Sequence, residues 1–185
     1  MTPVLSTTGL VLHDLGLATA FGGSLFGKIA LNPAVRTLAS LEERGKVVNT
    51  AWNGFNVLNV LSLTTATLTW LVGRSKLTGR EIDETTQTLV TAKDALLGAS
   101  VVLGAANVAA ETFLTRQGID GAVPMESGNA PSLSTPPKAA SALRAINLMG
   151  IVNLACLAGV IGITAFLNMK AGTSSKWSAL TRFLP

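Results

Sequence analysis

Apolar residues along this chain collect into four long runs, and the charged residues collect between them. The plainest run is Val47–Gly73, VVNTAWNGFNVLNVLSLTTATLTWLVG, which holds no charged side chain. A membrane-crossing helix needs about 20 mostly apolar residues, so this run can cross with some tilt. Trp52 and Trp70 stand 18 positions apart, roughly 27 Å along a helix. That is near the thickness of a hydrocarbon core, whose two interfaces favour Trp. The same reading places further spans at about 9–31, 87–112 and 140–169. The uncharged part of the third, Ala95–Ala110, is only 16 residues long. It reaches span length if Lys93 and Asp94 sit at one interface and Glu111 at the other.

The pattern predicts an all-α chain: a single integral membrane four-helix bundle over residues 1–185 with short connectors. Asn32-Pro33 is expected to end the first helix, because the residue before a proline is biased away from helical backbone. Residues 114–138 (LTRQGIDGAVPMESGNAPSLSTPPK) are rich in Gly, Ser and Pro and read as a flexible extramembrane loop. Residues 170–185 form an amphipathic tail, with Trp177, Leu180 and Leu184 on one helical face, expected as a C-terminal interfacial helix. Ala18-Thr19-Ala20 resembles a signal-peptide cleavage site, but Met1–Thr8 lacks a basic residue and His13-Asp14 interrupts the apolar run. The first span is therefore expected to stay.

Polar and small residues inside the spans are patterned too. Asn49, Asn53, Asn56 and Asn59 recur at helical spacing, within roughly a 120° arc. An amide facing lipid is costly, so this stripe should face other helices or a wet cavity. It is either interhelical glue or the wall of a polar site. Lys93, Ser100, Gly104, Asn107 and Glu111 share one face of the third span, and Val102, Ala106, Ala109 and Phe113 the other. The first span carries a small-residue track: Gly16, Ala20 and Ser24, with Gly23 and Gly27 as a GxxxG.

Four spans put both termini on one side. Asn49, Asn53, Asn56, Asn107, Glu111, Arg144 and Asn147 then lie toward the opposite end as candidates for a shared polar interior, with Glu111 paired to Arg144. His13, Asp14, Lys93 and Asp94 form a second candidate cluster near the termini, with Asp14 opposite Lys93. That cluster is either an acid–base site or a set of charges tolerated at helix ends.

Composition narrows the chemistry. Charged residues make up 13% and mean hydropathy is +0.47, against about 25% charged in soluble domains. Cys156 and His13 are the only residues of their kinds. An intrachain disulfide, a cysteine metal cluster and a multi-histidine site are therefore excluded within one chain. No metal site is expected, and no cofactor is indicated. The net charge of +4 is spread over several loops and gives no nucleic-acid footprint. Lys and Arg tie at seven on each side, so the positive-inside rule does not orient the chain. The basic tail leans both termini toward the cytoplasm, with the cell membrane as the expected location.

The layout resembles small four-span membrane families, the anthrone-oxygenase-like family among them. The resemblance lies in the Gly-rich first span, Asn32-Pro33 after it, and Asn49 and Trp52 entering the second span, and covers about the first 60 residues. It implies a four-span bundle and carries over no catalytic residue. Two functions are expected from these features. The first is an accessory or assembly subunit that packs small-residue faces against partner membrane proteins or further copies of itself, within membrane lipid. The alternative is a bundle that handles a small molecule, lipid or quinone, including a cofactor-independent oxidoreductase. A minimal transporter is a weaker third.

Overall fold

The computed structural model describes residues 3–75 and 83–173. Four long helices dominate it: α1 (Pro3–Phe26), α2 (Leu41–Ser75), α3 (Glu84–Thr115) and α4 (Pro137–Thr173). Each of the four is part of a segment long and apolar enough to cross a membrane. The fold is all-α. The interfacial helix expected in the tail lies outside the described residues beyond Thr173.

Neighbouring helices run antiparallel. On α1 and α2, Gly16 meets Ser62, Gly23 meets Phe55 and Gly27 meets Trp52, so one number rises as the other falls. Asn56 with Glu111 and Trp70 with Asp94 show the same for α2 and α3. The tightest pairs are α1 with α2 and α3 with α4, joined along the looser α1–α4 and α2–α3 seams. The GxxxG track explains the first pair. A Cβ on Gly16 would stand 2.6 Å from the Ser62 carbonyl oxygen, and one on Gly27 would enter the Trp52 ring. Only a residue without a side chain lets the helices come this close.

Two apolar clusters hold the bundle. One lies toward the termini and joins Leu17, Ala20, Leu63, Ala66, Leu97, Leu157 and Val160. The other closes the opposite end with Val35, Val48, Leu114, Val123, Met125, Ala139 and Leu143. Lys93, Ser100, Gly104 and Glu111 on α3 are all buried, while Val102 and Phe113 are exposed. The inward face of α3 thus carries the polar and small stripe, together with Val90, Leu97 and Leu114.

Residues 114–138 do not form the expected flexible loop. After α3 the chain makes a 3-10 turn (Ile119–Gly121) and a short antiparallel hairpin, β1 (Met125–Ser127) with β2 (Ala130–Pro131). Asp120 and Gly121 both take positive φ, 51° and 74°, which reverses the chain. Val123, Met125 and Ser127 turn inward and are almost fully buried. These alternate inward positions, two of them apolar, give the segment a core, and the Gly and Pro residues shape its turns. It folds back over the bundle end as a cap.

Candidate functional site

The site begins at Asn32-Pro33. Proline has no N–H, and its ring crowds the carbonyl four residues back. The first helix does not end there, as the sequence suggested. It widens instead into a π-helical turn over Gly27–Leu31, with the Asn32 N–H bonded to the Gly27 carbonyl. Asn32 keeps helical angles, φ −61° and ψ −40°, and the chain continues through Asn32–Ala34 into a 3-10 turn at Val35–Thr37. The wide turn accommodates the proline without leaving the helix. Lys28 and Asn32, on and just after that turn, both line a cavity in the capped end of the bundle.

That cavity holds about 630 Å³ of empty space, its open mouth included. All four helices line it, and Gly128 of the cap closes one part. Along the helices it falls between the two apolar clusters. Its polar wall is Ser24, Lys28, Asn32, Asn49, Asn53, Glu111, Asn147 and Asn153. Its apolar wall includes Trp52, Leu143, Ile146 and Leu154.

A hydrogen-bond net fixes the capped side of this wall. The Lys28 ammonium donates to the backbone carbonyl of Asn147 at 3.1 Å and also to its side-chain oxygen. The Asn147 amide donates to the Asn129 carbonyl at 2.7 Å, and the Asn129 amide donates to the Lys28 carbonyl at 3.1 Å. Asn32 donates to the Asn129 side-chain oxygen at 2.9 Å and accepts from the Trp52 indole N–H at 2.9 Å. Asn49 donates to the Gly121 carbonyl at 2.6 Å. Asn129, at the hairpin tip, thus ties the turn that follows α1 to α4 through the cap. On the other wall the Asn56 amide donates to the Glu111 carboxylate.

Among the described residues, three polar groups on the lining have no side-chain partner. The Asn153 side-chain oxygen is buried without a hydrogen bond, in a residue only 4% exposed. A buried orphan acceptor costs about 1–3 kcal/mol. Asn53 stands at the exposed rim and, like the Ser24 hydroxyl, makes no side-chain hydrogen bond among the described residues. Further orphans, Asn59, Thr67, Ser100 and Asn107, lie elsewhere in the spans.

The candidates from the sequence distribute as follows. Asn49, Asn53, Glu111 and Asn147 line the cavity, and Asn56 orients Glu111 from beside it. Asn107 and Arg144 are not on the lining. The Glu111–Arg144 pair does not form: Arg144 is exposed, and the ion pairs among the described residues are Arg44–Glu126, Arg74–Asp94 and Lys170–Asp83. Height along the spans was the only basis for that pairing, and height does not set the direction a residue faces. Lys28, Asn32, Trp52, Asn129 and Asn153 were missed as site residues. Lys28 left a signal, as the only charge between Gly16 and Leu31.

The second cluster is assembled differently from expectation. Asp14 is exposed and forms no ion pair with Lys93. The Lys93 ammonium lies 2.9 Å from His13 Nε2 and 3.8 Å from the centre of the Trp70 ring. Asp94 accepts from the Trp70 indole at 2.7 Å and pairs with Arg74 at 2.8 Å. None of these residues lines the cavity. Among the described residues no three His, Cys, Asp or Glu side chains stand together as a metal-binding group.

Comparison with known proteins finds no matching family, no matching curated protein and no matching solved structure.

Proposed function

We propose that the chain is a ligand-handling membrane bundle whose cavity takes an amphiphile, a lipid or a small molecule with a polar head and an apolar body. Asn153 carries this reading. Its side-chain oxygen is buried and, among the described residues, unpartnered, in a residue that lines the cavity. A bound polar group would satisfy it, and pockets that bind small molecules are mostly apolar with a few convergent polar groups. The rim residue Asn53 and the apolar wall of Leu143, Ile146 and Leu154 support the same conclusion.

The accessory-subunit reading, expected first from the sequence, drew on small-residue faces free to meet a partner. Gly16, Gly23 and Gly27 of the small-residue track pack against α2 of the same chain. The cytoplasmic placement of the termini rests on the basic tail, which lies outside the described residues.

Gly150 offers a clean test. It lines the cavity, and nothing lies within 4 Å of where its Cβ would stand. Gly150→Leu should fill the cavity without breaking a hydrogen bond. The full chain, purified in mild detergent and extracted with organic solvent, should release a bound amphiphile. The Gly150→Leu protein should fold normally and release much less. Equal release from both proteins, or none from either, would overturn the proposal.

A further inference from the structure

Lys28 and Glu111 line one cavity with opposite charges, yet neither forms an ion pair with the other or with any described residue. Each is held by a neutral amide, Lys28 by Asn147 and Glu111 by Asn56. An amide orients a charge without cancelling it. A charge withdrawn from water is stable only when paired, and charges inside spans mark binding or transport sites. The cavity therefore presents an amine and a carboxyl group that are oriented but unpaired, each open to a ligand group of the opposite charge.

Resting on the cavity being a ligand site, we propose that its ligand is a zwitterion, with an anionic oxygen group on Lys28 and an ammonium on Glu111. The ammonium needs N–H groups, since a carboxylate accepts hydrogen bonds and a quaternary amine has none to donate. Asn153 and Ser24 take further polar atoms of the head. The apolar wall and the rim at Asn53, about one helical turn along α2 from Asn49, favour a membrane source. The chemistry is that of a phosphoethanolamine lipid head group. A soluble zwitterion such as free phosphoethanolamine carries the same charges.

The test uses the full chain in nanodiscs or detergent, with native mass spectrometry counting retained lipid. Three lipids with matched acyl chains are compared: phosphatidylethanolamine, phosphatidylcholine and phosphatidylglycerol. Phosphatidylethanolamine should be retained at least about tenfold better than the other two. Glu111→Gln should abolish that preference over phosphatidylglycerol, whose head has no ammonium, while some lipid is still retained. Lys28→Met should weaken retention of both phosphatidylethanolamine and phosphatidylglycerol.

A second arm adds free phosphoethanolamine. Binding of it with the same Glu111 dependence, without lipid retention, would support the zwitterion and assign a soluble source. Equal retention of all three lipids by the unaltered protein, blocked by Gly150→Leu, would overturn the zwitterion and leave the ligand site standing. No binding of any probe, with nothing extracted from the purified chain, would overturn both. The lipid comparison on the unaltered protein is decisive even if a variant fails to fold.

Discussion

Lys93 and His13, 80 positions apart in sequence, meet at 2.9 Å between the lysine ammonium and the imidazole Nε2. The other ring nitrogen, Nδ1, lies 2.7 Å from the Ala66 carbonyl. A carbonyl only accepts, so Nδ1 carries the proton and Nε2 presents its lone pair to the ammonium. The ring is a neutral bridge between the backbone of α2 and a cation on α3. Lys93 is only 1% exposed. Its charge is met by the imidazole lone pair and the Trp70 ring face, a cation–π contact.

This geometry makes the two partners unequal. His13→Phe removes the acceptor and leaves a buried ammonium, which should destabilise the fold by about 3–5 kcal/mol. Lys93→Met removes the charge and leaves one unpaired ring nitrogen, which should cost about 1–3 kcal/mol. Chemical unfolding in a fixed detergent gives the order directly. If Lys93→Met proved the more damaging change, the assignment of the imidazole as acceptor would be wrong.

The glycines of the first helix divide by what they face. Gly16→Ala drives a methyl against the Ser62 carbonyl, a backbone atom 2.6 Å away. The helices must separate, at about 1–3 kcal/mol. A Cβ on Gly22 meets nothing within 4 Å. Gly22→Ala should be neutral or stabilising by up to about 1 kcal/mol, through helix propensity alone. Thermal unfolding of the two variants side by side checks the contrast, and equal loss in both would argue against the close α1–α2 approach.

Helical spacing made the inward face of α3 legible. Lys93, Ser100, Gly104 and Glu111 recur at that spacing, and all four are buried. Periodicity carries this because it needs only neighbours in sequence. The cavity was half legible for the same reason: the Asn residues of α2 mark a polar face, but not what stands opposite. Lys28 meets Asn147 across 119 positions and Asn129 across 101. No local pattern encodes such meetings. The cap was misread because Gly and Pro density outweighed the inward alternation of Val123, Met125 and Ser127, which is too short to stand out. Asn32-Pro33 was misread because local bias against helix before proline is weaker than the gain from continuing the helix through a wider turn.

Where α3 starts and α4 ends, Lys170 donates to both Asp83 carboxylate oxygens at 2.6 Å, and the Thr86 hydroxyl donates to Asp83 at 2.6 Å. The lysine first, and the threonine second, hold the Asp83 carboxyl down to about 2 from an ordinary 3.8. A carboxyl with a lowered folded value stabilises above its unfolded value. The tie is therefore complete above about pH 4 and fades as pH falls through about 2. Because the pair is exposed, its effect on overall stability should be small. Carbon-13 labelling of aspartate and a pH titration by NMR should place the Asp83 midpoint near 2, and Lys170→Ala should move it up toward 3.8. A midpoint already near 3.8 in the unaltered chain would show that the contact does not persist in solution.

Asn129 is the residue on which the cap depends. Its side chain accepts from Asn32 and donates to the Lys28 carbonyl, and its own carbonyl accepts from Asn147. Asn129→Ala removes the two side-chain bonds and leaves the third. The loss orphans the Asn32 amide, which should loosen the cap by about 1–3 kcal/mol. Gly45→Ala attacks the same seat from below, because a Cβ there would enter the Val123 backbone. Backbone in that position cannot step aside, so the cap must lift. Both changes should leave the four helices intact, since their packing lies mainly outside the cap. Limited proteolysis should then cut both variants between residues 118 and 134 faster than the unaltered chain, with circular dichroism unchanged. Hydrogen exchange should rise in the same segment and stay low in the middle of α3. Equal protease resistance in all three proteins would mean that the cap's other ties, among them Asn49 to Gly121 and Arg44 to Glu126, hold it without Asn129.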